Sequence, residues 1–98
     1  MKVPFTQFIP PHGRQERIEI ELADELAPKL EQIAAAGCRL TAEILSTGIC
    51  SFCIEEPELG DFDITLVVNG PQVPIKITDM IQRFTPELFE QWKALETA

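Results

Sequence analysis

Cys50-Ser51-Phe52-Cys53 is the pair of side chains in this sequence spaced as metal and redox sites space them. Two cysteines three apart can close on a zinc ion, or cycle between dithiol and disulfide, when a tight turn or helix start brings both sulfurs together. A strand does the opposite, because an odd offset sends two side chains to opposite faces. The residues around the pair alternate as a strand does. No second ligand pair accompanies it, since Cys38 and His12 stand at no matching spacing. Cys50 therefore reads as an inert buried cysteine and Cys53 as a surface one, with no metal and no disulfide.

Glu55, Glu56, Glu58, Asp61 and Asp63 place five carboxylates within nine residues of a hairpin, the oxygen chemistry a divalent cation prefers. The calcium-loop spacing around a central glycine is absent, so a solvated hairpin tip is expected. General acid–base work needs a buried carboxylate to tune its pKa, and nothing in the pattern buries one. His12, the single histidine, stands in a Pro-Pro-His-Gly turn without a nucleophile or acid beside it in sequence. GxSxG, P-loop and GxGxxG motifs are all missing. No catalytic, metal or cofactor residue is assigned, and the chain is not expected to be an enzyme.

The elements that would position these residues centre on Cys38–Gly70, where three runs alternate with period two. Cys38, Leu40, Ala42 and Ile44 form the first inward set, and Cys50, Phe52 and Ile54 the second. Phe62, Ile64, Leu66 and Val68 form the third, against an outward set of Asp61, Asp63, Thr65 and Val67. Ser46-Thr47-Gly48 and Glu56–Gly60 supply the turns. Arg14–Leu22 is a fourth strand with Ile18, Ile20 and Leu22 inward. Asp24 caps a helix with the stripe Leu26, Leu30, Ile33 and Ala34, which Gly37 ends. That helix predicts a parallel relation between the strands it joins. A further helix near Pro74 carries Ile77, Met80, Ile81 and Phe84. Thr85-Pro86-Glu87 starts the last one, with Leu88, Phe89, Trp92 and Leu95 on its stripe.

The expected architecture is a single α+β domain over 1–98, a two-layer sandwich of order β-α-β-β-β-α-α. Its four-stranded, mainly antiparallel sheet has helices on one face. Residues 1–13 read as an extended N-terminal arm, 14–70 as the strand-helix-meander core and 74–95 as the C-terminal helices. Val3, Phe5, Phe8 and Ile9 make the arm too apolar to float free. Pro10-Pro11 stiffens its exit.

The formal charge is −8, from 16 acids against eight Lys and Arg. Phosphate backbones and anionic lipid surfaces repel such a chain, so neither nucleic acid nor membrane is an expected partner. No apolar run approaches the ~20 residues a bilayer crossing needs. The first residues lack an unbroken apolar signal region, and three cysteines fit no disulfide framework, so a cytoplasmic location is expected.

The helix–three-strand–helix order from Asp24 onward resembles that of double-stranded-RNA-binding domains. Those domains grip phosphates with lysines at the start of the last helix, where this chain offers only Lys76 and Arg83 amid Asp79 and Glu87. A second resemblance lies in Ala42-Glu-Ile-Leu-Ser-Thr-Gly48 and Asn69-Gly-Pro-Gln-Val-Pro74, which are similar to phrases in small prophage-encoded bacterial proteins. It implies an accessory role in a bacterial or phage cytoplasm and carries over no functional residue.

Three functions stay open. The first is a non-catalytic protein-interaction module whose partner is another protein or a second copy of itself. Its candidate seam is Phe84, Leu88, Phe89, Trp92 and Leu95, a stripe too broad for one small core to absorb. The second is an acidic DNA mimic that occupies a nucleic-acid-binding protein through Glu19, Glu21, Glu43, Glu55 and Asp63 on the outward sheet face. The third is a small enzyme whose site assembles from scattered residues.

Overall fold

The first residues of the chain form a strand rather than an arm. A computed structural model of the protein describes residues 1–9, 13–46 and 48–97. Pro10, Pro11, His12 and Thr47, on which a stiffened exit, a histidine turn and part of a hairpin turn are expected, lie outside the described residues. β1 (Lys2–Ile9) pairs along its whole length with β2 (Arg14–Glu21) in antiparallel register, Lys2 opposite Glu21 and Ile9 opposite Arg14. Its alternation explains why: Val3 and Phe5 are buried while Lys2 and Pro4 are exposed. Two apolar side chains on one parity are enough to hold a strand against a core.

After β2 a 3₁₀ turn (Asp24–Leu26) runs into α1 (Ala27–Ala35). Asp24 does not cap it. Pro28 in the first turn has no N–H to cap, and the Asp24 carboxylate instead accepts a hydrogen bond from the Met1 ammonium at 2.9 Å. α1 ends as the sequence predicts. Gly37 adopts φ +81°, its N–H donates to Ala34 O and that of Cys38 to Ile33 O. β3 (Arg39–Ser46), β4 (Ile49–Glu56) and β5 (Gly60–Val68) then form the antiparallel meander. α2 (Val73–Arg83) and α3 (Pro86–Thr97) complete the chain. The Thr85 hydroxyl accepts the Leu88 N–H at 3.2 Å, and Pro86 sits in the first helical position as expected.

The sheet thus has five strands, not four, in the order β2-β1-β3-β4-β5. β1 lies between β2 and β3 and is parallel to β3. The strands joined by α1 are consequently antiparallel to each other and not neighbours, which corrects the parallel crossover expected between them. The parallel crossover runs instead from β1 to β3 and includes β2. The α+β class and the single helical layer stand.

Core side chains come from every strand of that layer's face and from the helices above it. Phe5 meets Phe52 edge-to-face at 5.9 Å. Ile54, Ile77, Met80, Ile81 and Phe84 have no exposed surface. Phe62 on β5 lies edge-to-face against Phe84, Phe89 and Trp92 at 5.5–5.7 Å, and this aromatic cluster seats α3. The Lys29 ammonium donates to the Phe84 carbonyl, tying α1 to the end of α2.

If β1 is an integral strand, truncating its buried ring must be costly. Phe5, 1% exposed, changed to Ala should lose about 3–5 kcal/mol in urea denaturation. A loss under about 1 kcal/mol, the range of exposed positions, would return these residues to the status of an arm.

Candidate interaction surface

A single irregularity decides what the outer sheet face presents. Along β4 and β5 the pairing runs Ile49↔Val68, Ser51↔Leu66, Cys53↔Ile64 and Ile54↔Asp63, then jumps to Glu55↔Asp61. Phe62 is the extra residue of a β-bulge, and both Phe62 and Asp63 turn toward the helices. Phe62 enters the aromatic cluster, and Asp63 accepts two hydrogen bonds from the Arg83 guanidinium of α2, at 2.9 and 3.3 Å. Past the bulge the parity is inverted. Val67, expected outside, is buried, whereas Ile64, Leu66 and Val68, expected inside, are 50%, 60% and 69% exposed.

The outer face is therefore divided. On the β2 side it carries Arg17, Glu19 and Glu21, all exposed. In the middle Thr41, Ser51 and Cys53 are buried although no helix covers them, and the Ser51 hydroxyl lies 3.5 Å from the Cys53 sulfur. Arg39 spans this region, pairing with Glu55 at 2.8 Å and placing its guanidinium 5.5 Å from the Phe8 ring centre. On the β5 side Ile64, Leu66 and Val68 stand beside Ile49, itself 37% exposed. This apolar stripe was not legible in the sequence. Ile64-Thr-Leu-Val-Val68 offers apolar residues on both parities, so its alternation fits either phase.

The residues singled out for chemistry are scattered by this arrangement. Of the candidate acidic face, Glu19, Glu21 and Glu43 are exposed on the outer side, and Glu55 is there but ion-paired. Asp63 lies on the opposite side of the sheet, a correction that follows from the bulge. Glu56 accepts the N–H groups of Glu58 and Leu59 at 3.0 and 2.6 Å and so closes the hairpin turn. Cys50 and Cys53 take opposite faces of β4, as alternation requires, but Cys53 is buried rather than surface-exposed. Burial pushes the Cys53 thiol up, and pushes that of Cys38 to about 11, so both stay protonated and weakly nucleophilic at neutral pH. Among the described residues no three His, Cys, Asp or Glu side chains converge on a possible metal position.

The C-terminal stripe is divided too. Phe84 and Phe89 are buried in the protomer's own core, and Trp92 is half-buried against Phe62. Only Leu88 and Leu95, 49% and 77% exposed, remain on the surface of α3. The core has room for more of the stripe than the sequence predicts: the one ring of Phe62 meets Phe84, Phe89 and Trp92 together.

Asp61 faces outward opposite Glu55, and its carboxyl is raised by burial, then by the negative charges of Glu55 and Glu43. A carboxyl raised on folding favours the native state only while protonated, so this contribution is lost as pH rises through the carboxylate range. Asp61→Asn should therefore be more stable than the wild type at about pH 7, and the two should converge toward about pH 3. Thermal unfolding at both pH values checks this; a variant less stable at neutral pH contradicts it. No protein-family model, curated protein or solved structure matches this chain.

Proposed function

We propose that this protein is a non-catalytic protein-interaction module whose β5 edge pairs with a second copy of the chain. The observation that carries this is the contrast between the two edges of the sheet. Exposed strand edges invite pairing, and proteins guard them with charge. The β2 edge is guarded by Arg14, Glu16, Arg17, Glu19 and Glu21, with an Arg14–Glu16 ion pair at 3.0 Å. At the other edge Ile64–Val68 contains no charge and no proline, and its outward side chains are apolar.

The sequence of β5 is also self-complementary in one orientation. Antiparallel pairing centred on Leu66 sets Ile64 opposite Val68 of the second copy and Leu66 opposite its equivalent. The same register sets Asp63 opposite Asn69 rather than opposite an acid. Parallel pairing in register would bring like carboxylates together. Each of the three side chains is already about half covered, so each gains on the order of 1 kcal/mol. Six of them, plus a few ladder hydrogen bonds worth about 1 kcal/mol each, stand against an association cost of about 4–15 kcal/mol. At the low end of that cost about 6 kcal/mol remain, a weak dimer with a Kd of tens of micromolar, assembled and released with concentration.

The two phrases that resemble prophage-encoded proteins support an accessory role. They meet at one end of the meander, where the Asn69 N–H donates to the Gly48 carbonyl. The dimer seam then belongs to the same region of the chain as the resemblance.

Sedimentation equilibrium over about 1–100 µM tests the proposal. The wild type should shift from monomer to dimer, and Leu66→Lys should stay monomeric with an unchanged circular dichroism spectrum. Leu95→Lys on α3 should dimerise as the wild type does. A wild type monomeric throughout sinks the proposal. So does dissociation by Leu95→Lys but not by Leu66→Lys, which would place the seam on α3.

A further inference from the structure

A second feature of the sheet, distant from β5, has the character of a ligand site. β1 and β3 pair only over Thr6–Phe8 against Thr41–Glu43, although β1 begins at Lys2 and β3 at Arg39. Where β3 is present to pair, at Arg39 and Leu40, the cause lies in one residue. Met1 and Leu22 exchange both backbone hydrogen bonds, at 2.9 and 2.7 Å, so Val3 and Phe5 direct their peptide groups at β2. The alternate residues Lys2 and Pro4 direct theirs at β3. Pro4 has no N–H to give, and a proline inside a sheet interrupts the ladder on that side. In the same register Pro4 and Phe5 would face Arg39 and Leu40, while Lys2 and Val3 face the Gly37-Cys38 end of α1, so β1 has no bonded neighbour on that side over Lys2–Phe5.

The opening is a cleft of about 500 Å³, within the size range of small-molecule sites. Its depth is apolar, formed by Val3, Phe5 and Leu40 of the strands and Leu30 and Ile33 of α1. Its outer rim carries Lys2, Arg17 and Arg39, and no acid lines it among the described residues. Glu19 and Glu21 alternate with Arg17 along β2 on the same outer face, and Glu21 pairs with the Met1 ammonium, but neither lines the cleft itself. Arg39 is held by Glu55, but Lys2 and Arg17 make no ion pair among the described residues. Two cations outside any such ion pair, above an apolar trough, are complementary to an anionic head on an apolar body. The trough runs along the strands, which favours a narrow, extended body over a compact one. The Cys38 thiol also borders the cleft, but protonated and half-buried it serves as wall rather than nucleophile.

We propose that the cleft between β1 and β3 binds a small amphipathic anion, a carboxylate on an unbranched alkyl chain, with Lys2 and Arg17 holding the head. The alkyl chain lies against Val3, Leu40 and Ile33. Nothing in this site depends on dimerisation through β5, which lies at the far edge of the sheet.

Dodecanoate below its micelle concentration is the probe, titrated into the full chain by calorimetry. Saturable one-to-one binding is expected, with amide shifts at Ile33, Ala34 and Leu40 in a nitrogen–proton correlation spectrum. Dodecyltrimethylammonium, the same chain with a cationic head, should bind at least about tenfold more weakly, as should dodecanoate to the double variant Lys2→Glu/Arg17→Glu. Ala34→Trp, an exposed position at the cleft, should block binding while leaving the fold intact. Failure to saturate overturns the proposal, as does equal affinity for both head groups. An affinity unchanged by Lys2→Glu/Arg17→Glu or by Ala34→Trp also overturns it, since that is adsorption elsewhere on the surface.

Discussion

Phe62 takes one position more in β5 than its partner strand provides, and most of the molecule follows from that bulge. Turned inward, its ring gives α3 something to seat on, through Phe84, Phe89 and Trp92. Asp63, carried to the same side, fixes Arg83 at the end of α2. Edge-to-face aromatic pairs contribute about 0.5–1.5 kcal/mol each beyond the area they bury, and three of them share this one ring. Against that gain stands the loss of Ile64 and Leu66 to the solvent side. An unbulged strand would keep Phe62, Ile64 and Leu66 on one face; the bulge lets Phe62 and Asp63 both face the helices while Ile64 and Leu66 turn outward. The inverted phase is thus held by the helical layer, and its by-product is an apolar edge.

The sheet consequently has two unlike halves. Between β2 and β1 the outer surface is charged and guarded, and Pro4 opens a cleft with basic side chains at its mouth. Between β4 and β5 it is apolar, over a floor of buried Thr41, Ser51 and Cys53. The net charge of −8 keeps copies of the chain apart at long range, while the apolar edge attracts at contact. Such a combination suits association that is specific and reversible. The proposed pairing of β5 would accordingly strengthen with salt, because screening shortens the repulsion to within a Debye length.

Much of this was legible in the residues, and what was not had physical reasons. The phases of β2, β3 and β4, the glycine ending of α1 and the Thr85-Pro86 start of α3 follow from alternation and capping chemistry alone. β1 was hidden by Pro4 and Pro10-Pro11, which read as breakers. In fact Pro4 sits where the strand has no neighbour to bond, so its missing donor costs little there. The opposite phase of β5 was hidden because Val67 and Val68 satisfy either parity, and only the joint demand for Phe62 and Asp63 on the helix side, by residues some 20–30 positions later, resolves it. That demand is tertiary, and no window of local sequence contains it. The burial of Phe84 and Phe89 has the same tertiary origin, and it leaves only Leu88 and Leu95 of their stripe on the surface.

Residue-resolved amide hydrogen exchange over Ile64–Val68, measured at low and at high protein concentration, tests the central claim most directly. Alternate amides of this segment face β4 and are protected in a single chain, while the others turn outward from the sheet edge. Pairing of β5 with a second copy predicts that the outward amides become protected as concentration rises, with the inward ones and the β2 edge unchanged. Outward amides that exchange at one fast rate at every concentration would contradict it.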